Sequence, residues 1–137
     1  MVMARMRSGF AVIGDTQHLP GYCVLLHEDA AVNHLTDLDW PRRTEFLFDL
    51  SLLGEAVEAV CRADGLRRIN YEVLGNLLPL LHGHVHARYE WETLAEHPVW
   101  RYGAEHFAPE HEYSDDRHGA LRAAITAELE RLMAAAY

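Results

Sequence analysis

Eight consecutive residues near the middle of the chain, Leu81-His82-Gly83-His84-Val85-His86-Ala87-Arg88, place a histidine at every second position. A period of two belongs to an extended strand, where residues i, i+2 and i+4 share a face. The run therefore commits this part of the chain to a β-strand that presents three imidazoles in a row. Gly83 within it marks a close approach, either by a ligand or by another segment. An imidazole can ligate a metal, shuttle a proton near neutral pH or act as a nucleophile. The strand thus bears on fold and function together.

Shorter signals set the elements around it. Phe10-Ala11-Val12-Ile13 reads as a strand closed by Gly14-Asp15. Tyr22-Cys23-Val24-Leu25-Leu26 reads as a second strand after the turn signal Pro20-Gly21. Asp39-Trp40-Pro41 opens a helix, with a capping aspartate and a proline near the first turn. Phe46, Leu50, Leu53, Val57 and Val60 recur at helical spacing up to about Arg62, and Asp64-Gly65 ends the helix. Residues 68–74 and 80–89 read as strands joined through Gly75-Asn76. From 90 to 117 the chain is irregular and rich in Trp, Tyr and His. A C-terminal helix is expected over about 117–135, with Leu121, Ile125, Leu129 and Leu132 facing inward. Strands in hairpins around one long helix give an α+β class with an antiparallel sheet.

The length of 137 residues implies one domain, and a half-hydrophobic composition is enough for a core. A formal net charge of −9 argues against nucleic acid or an anionic membrane as partner, since phosphate would be repelled. A single phosphate in a local pocket remains compatible with it. Cys23 and Cys61 lie in apolar runs and form no metal or redox motif, which fits buried free thiols. The first nine residues hold arginines but no apolar core of a leader, and no run approaches about 20 apolar residues. The expectation is a soluble, cytoplasmic protein.

Three chemistries compete for the histidine strand. For a metal, Cα atoms at i and i+4 of a flat strand are ~13 Å apart. Two nitrogens on one zinc lie within ~4 Å of each other. A neighbouring pair with a remote third ligand is easier, but none of His18, His27, His34, His97, His106 and His111 stands at a diagnostic spacing. A sheet face of ordinarily hydrogen-bonded histidines is the second reading. The third is nucleophilic attack on phosphorus. It needs one imidazole held in the right tautomer, a second one nearby, and donors for the phosphate oxygens.

The strand and its approach resemble the histidine-triad (HIT) family of nucleotide hydrolases and transferases. Its members carry an approach of the form G-Q-S-V-P, then His-x-His-x-His, then two residues and Pro-Arg. If Gly75-Asn76-Leu77-Leu78-Pro79 matches the approach, the triad positions fall on Leu80, His82 and His84 without a gap. Arg88 then meets the family arginine, and His86 takes an apolar position. A direct alignment would instead place the triad on His82, His84 and His86 and make His84 the nucleophile. Pro20-Gly21-Tyr22-Cys23-Val24-Leu25-Leu26 resembles the family's P-G-H-x-L-V-I strand, with Tyr22 where a fourth histidine usually sits. Glu90-Trp91-Glu92 and Pro98-Val99-Trp100 resemble the tail of diadenosine tetraphosphate hydrolase-like relatives.

In the gapless register the resemblance implies His82 as the nucleophile and His84 as its phosphate-contacting, proton-transferring partner. Asn76 takes the place of the motif glutamine. Asn70 falls one residue from the asparagine that holds phosphate or ribose, and Asp15 one residue from the ribose contact. With Arg88 and Tyr22 these complete the expected substrate-binding set, although Arg88 reads equally well as a solvated arginine paired with Glu90 or Glu92. The implied activity is hydrolysis of nucleoside phosphoanhydrides or phosphoramidates through a nucleotidyl-histidine, with no cofactor and no metal. The fold implied is a HIT-like domain over 1–137, with its core at about 10–100 and a helical extension at about 117–135. The partners implied are a nucleotide substrate and a second copy of the chain in a homodimer. Alternatives are a nucleotide-binding protein with weak turnover, Leu80 and Tyr22 being the symptoms, and a zinc-binding domain using two strand histidines. Trp91 and Trp100 are expected to pack on the sheet, and His106, His111 and His118 to be exposed.

Overall fold

A computed structural model describes all residues from 1 to 137. Five strands form one antiparallel sheet: β1 (Val2–Arg5), β2 (Gly9–Ile13), β3 (Cys23–His27), β4 (Leu66–Glu72) and β5 (His82–Tyr89). Their order across the sheet is β1-β2-β3-β5-β4. The histidine strand β5 is therefore interior, flanked by β3 and β4. Two helices, α1 (Trp40–Cys61) and α2 (Asp115–Ala136), complete the regular structure. No helix is long and apolar enough to cross a membrane.

The long helix forms where its sequence signals lie. Asp39 caps it by accepting from the Arg42 N–H at 3.0 Å, and a proline occupies its first turn. Gly65, at φ +81°, turns the chain out of the following short 3-10 turn into β4. Phe46, Leu50, Leu53 and Val57 are buried, and Val60 packs at the margin. The face they meet holds Gly83, Val85 and Ala87 of β5. A Cβ on Gly83 would lie 2.7 Å from Leu50 Cδ1. The close approach marked by this glycine is thus made by the long helix, not by a ligand. It drives the sheet and helix together, and it leaves the histidines on the opposite face.

Three boundaries differ from the sequence expectation. Residues 1–9 supply a whole strand, β1, on the edge beyond β2, with Met3, Ala4 and Met6 in the core. The arginines at 5 and 7 masked its alternation. β4 begins and ends two residues earlier than expected and β5 begins two residues later, because 73–81 forms a loop and not strand ends. The irregular stretch contains 3-10 turns at Val99–Phe107 and Pro109–His111, and α2 starts at Asp115. Ile125, Leu129 and Leu132 of α2 are buried, with Leu121 at the margin.

Candidate active site

On the face away from α1, β5 displays His82, His84, His86 and Arg88 in a row. The neighbouring strands set what stands beside each. Val24 and Leu26 of β3 lie opposite His84 and His82, and Glu72 and Asn70 of β4 lie opposite His84 and His86. The segment 99–113 folds back over this face as a strap. It is pinned to the turn after β2 by backbone hydrogen bonds from Gln17 to the His111 carbonyl and from Tyr113 to the Asp15 carbonyl. Thr16 Oγ1 adds a hydrogen bond to the His106 carbonyl at 2.6 Å. The Trp100 indole N–H on the strap donates to Glu72.

His82 stands at the open end of the row, 9 % exposed. Its Nδ1 lies 2.6 Å from the Leu80 carbonyl oxygen. A carbonyl only accepts, so Nδ1 carries the hydrogen and Nε2 keeps its lone pair. An imidazole in that tautomer, anchored at Nδ1, is a nucleophile at Nε2. His84 is next, with its ring edge-on to His82 at 4.8 Å between centroids. Its Nδ1 lies 2.8 Å from the Tyr22 hydroxyl. Burial, and then the neighbouring His82, pull its pKa down to about 4, so the ring is neutral at pH 7. His86 is fully buried and held well below the usual histidine range, again by burial first and by His106 second. It stacks on Tyr22, with 4.2 Å between centroids and 4° between planes.

His82 and His84 open into a cleft of about 460 Å³ that also involves Asp15, Tyr22, Trp100, Phe107 and the loop 74–78. Asn76 belongs to that loop and is exposed. Gly75 takes φ +73°, and the N–H groups of Asn76, Leu77 and Leu78 donate to no backbone acceptor. Free N–H groups around a positive-φ glycine form an anion-binding concavity. Asp15 is the one charged side chain in the cleft, and no arginine reaches it. A larger and more open groove of about 680 Å³ runs along the β4 edge, but it contains none of the three strand histidines.

The structure thus brings together His82, His84, Asp15, Tyr22 and Asn76. It does not bring Asn70 and Arg88 to that cleft; both lie along the larger groove at the β4 edge. Arg88 is 2 % exposed and makes four hydrogen bonds. Its Nε and Nη2 donate to Glu92 at 2.9 and 2.8 Å, its Nη1 to Asn70 at 2.9 Å and its Nη2 to the Leu94 carbonyl at 3.0 Å. This buried pair with Glu92 ties the chain reversal after β5 to the sheet. His106 is corrected: it is fully buried on the inner side of the strap, where burial, and then His18, lower its pKa to about 4. His111 and His118 are partly covered. Trp91 is exposed, whereas Trp100 forms a cleft wall and stands edge-on to His84 at 5.3 Å. Phe107 and Glu72 were missed altogether. Glu72 could have been found from its cross-strand position beside His84; nothing local marks Phe107. No group of three or more His, Cys, Asp or Glu side chains is arranged to hold a metal ion.

No protein-family model and no curated protein matches this chain. Solved structures do. A histidine triad protein from Marinobacter aquaeolei superposes with a TM-score of 0.79 at 23% identity, over 96% of this chain and 90% of that one. A histidine triad protein from Bradyrhizobium japonicum gives a TM-score of 0.80 at 19% identity, over 94% and 90%. A hypothetical histidine triad nucleotide-binding protein from Sulfolobus tokodaii gives 0.69 at 16% identity, over 96% and 84%. These likenesses establish the architecture.

Proposed function

We propose that this chain, which has the histidine-triad fold, hydrolyses a nucleotidyl bond through a covalent nucleotidyl-His82 intermediate. The observation that carries the reading is the Nδ1 hydrogen bond of His82 to the Leu80 carbonyl at 2.6 Å. It anchors one ring nitrogen and frees the other at the mouth of the cleft. The name of the Sulfolobus tokodaii neighbour, a nucleotide-binding protein, agrees with a nucleotide as ligand.

In this reading His82 Nε2 attacks the α-phosphorus. The N–P bond forms as the bond to the leaving group breaks, and the leaving group takes a proton from water. A second water then attacks phosphorus, the N–P bond breaks, and a nucleoside monophosphate leaves. His84 Nε2 contacts a phosphoryl oxygen, with the Asn76 amide and the loop N–H groups beside it. Asp15 accepts from a ribose hydroxyl, while Trp100 and Phe107 wall the base. Each donor in this cradle is neutral. That favours a substrate with one phosphate charge at the nucleophile, such as a nucleoside phosphoramidate. The polyphosphate chain of a diadenosine tetraphosphate would need cations the cleft does not supply. Leu80 places no third imidazole near the leaving group, which favours slow turnover.

Incubation with an adenosine phosphoramidate tests the proposal. Wild-type protein should release the amine and AMP, and His82→Ala should release neither. Turnover by His82→Ala at the wild-type rate would remove His82 from the chemistry, and tight AMP binding without turnover would leave a binding protein.

A further inference from the structure

We propose that Tyr22 is a positioning residue, whose hydroxyl, propped by the ring of His86, fixes His84 in the tautomer that presents an Nε2–H to the phosphoryl group. The proposal rests on the reading of His82 as nucleophile and deepens it by separating the work of the two neighbouring imidazoles.

The Tyr22 hydroxyl and His84 Nδ1 are 2.8 Å apart. Which atom carries the proton decides what His84 can do. The phenol has one hydrogen, and His84 Nδ1 is its single hydrogen-bond partner. Were His84 the donor, the phenol hydrogen would be left in a part-buried place with nothing to accept it, and an unmet polar group there is costly. Tyr22 therefore donates. Burial, and then Asp15, push its hydroxyl above the usual tyrosine range, so it stays protonated. A neutral His84 that accepts at Nδ1 has its one hydrogen at Nε2. His82, anchored on a carbonyl, has the opposite tautomer. The row thus offers a lone pair at His82 and a hydrogen-bond donor at His84, two residues apart on one face.

His86 supplies the prop. Its ring lies parallel to Tyr22, 4.2 Å away, while Trp100 packs edge-on to it at 5.3 Å. No protein atom pairs with either of its ring nitrogens. It acts as a flat surface against which the phenol is held, in keeping with the stacking preference of aromatic pairs. Two of the departures from the expected motif, a tyrosine at 22 and a histidine at 86, are therefore in contact and form one device.

Long-range ¹H–¹⁵N spectra of the ¹⁵N-labelled protein at pH 7 test this directly. His82 should be protonated on Nδ1 and His84 on Nε2. In Tyr22→Phe, which keeps the ring on His86, the His84 signals should average between two tautomers. On a turned-over nucleotide, kcat should fall roughly tenfold to hundredfold with KM held, as misplacement of a reacting contact does. His86→Phe keeps a flat ring behind Tyr22 and should leave the His84 signals unchanged. A wild-type His84 protonated on Nδ1, or a Tyr22→Phe spectrum unaltered at His84, overturns the proposal. The spectra need no turnover, so this outcome is separate from whether His82 forms an adduct.

Discussion

Lowering the pH from 7.5 to 4.5 should loosen the strap through the histidines buried with it. His106 belongs to the strap and is fully buried against the sheet side, with its Nδ1 3.4 Å from His18 Nδ1. Burial, and then His18, take it from 6.5 to about 4. The unfolded chain binds this proton from about pH 6.5 downward, whereas the folded chain does so only near 4. Stability from this group is therefore complete above about pH 6.5 and is lost as the pH falls towards 4. At about 1.4 kcal/mol per pH unit, the full loss approaches 3 kcal/mol, and water reaching the strap reduces it to roughly 1.5–3 kcal/mol. His84 and His86 act in the same direction. Asp15, Glu105 and Glu92 face the cluster and oppose it. Urea unfolding followed by circular dichroism at pH 7.5, 6.0, 5.0 and 4.5 reads the effect, and His106→Gln should flatten the slope. An unfolding free energy equal at pH 7.5 and 4.5 would refute the reasoning, since it would mean that these imidazoles are hydrated or already charged in the folded protein.

Leu53 is fully buried between α1 and the sheet, so Leu53→Ala should cost ~2–5 kcal/mol in urea unfolding. A loss near ~0.5 kcal/mol would place that side chain at the surface. Arg88→Ala leaves Glu92 buried without its partner and should cost about 3–5 kcal/mol of stability. A folded, stable variant with a raised KM would return Arg88 to the substrate. A nucleoside phosphoramidate should be turned over with a higher kcat/KM than diadenosine tetraphosphate, and the reverse order would show that polyphosphate is stabilised by groups outside the cleft.

The parts of this molecule written locally were legible in the sequence. The alternation through His82–Arg88 gave β5 and its histidine face, and Asp39-Trp40-Pro41 gave the start of α1, because strand period and helix capping act over a few neighbouring residues. What failed depends on contacts between distant segments. For Arg88 the sequence left phosphate and Glu90 or Glu92 as equal partners, and only the chain reversal after β5 shows Glu92 and Asn70 around it in a buried place. His106 sits in a charged stretch without periodicity, and it is turned inward by the strap's hydrogen bonds with Thr16, Gln17 and Asp15. β1 is an edge strand of four residues with an arginine at its end, and its pairing with β2 is what makes it a strand. Tyr22 looked like a missing histidine, and its meaning appears only with His86 beside it.

The central claim is that His82 Nε2 makes the bond to phosphorus. Rapid quenching of the protein with a nucleoside phosphoramidate, followed by digestion and mass-spectrometric mapping of the trapped adduct, tests it most directly. The nucleotidyl group should sit on His82, form more slowly but at the same position in His84→Ala, and never appear on His86. An adduct on His84 with His82 unmodified would contradict the account.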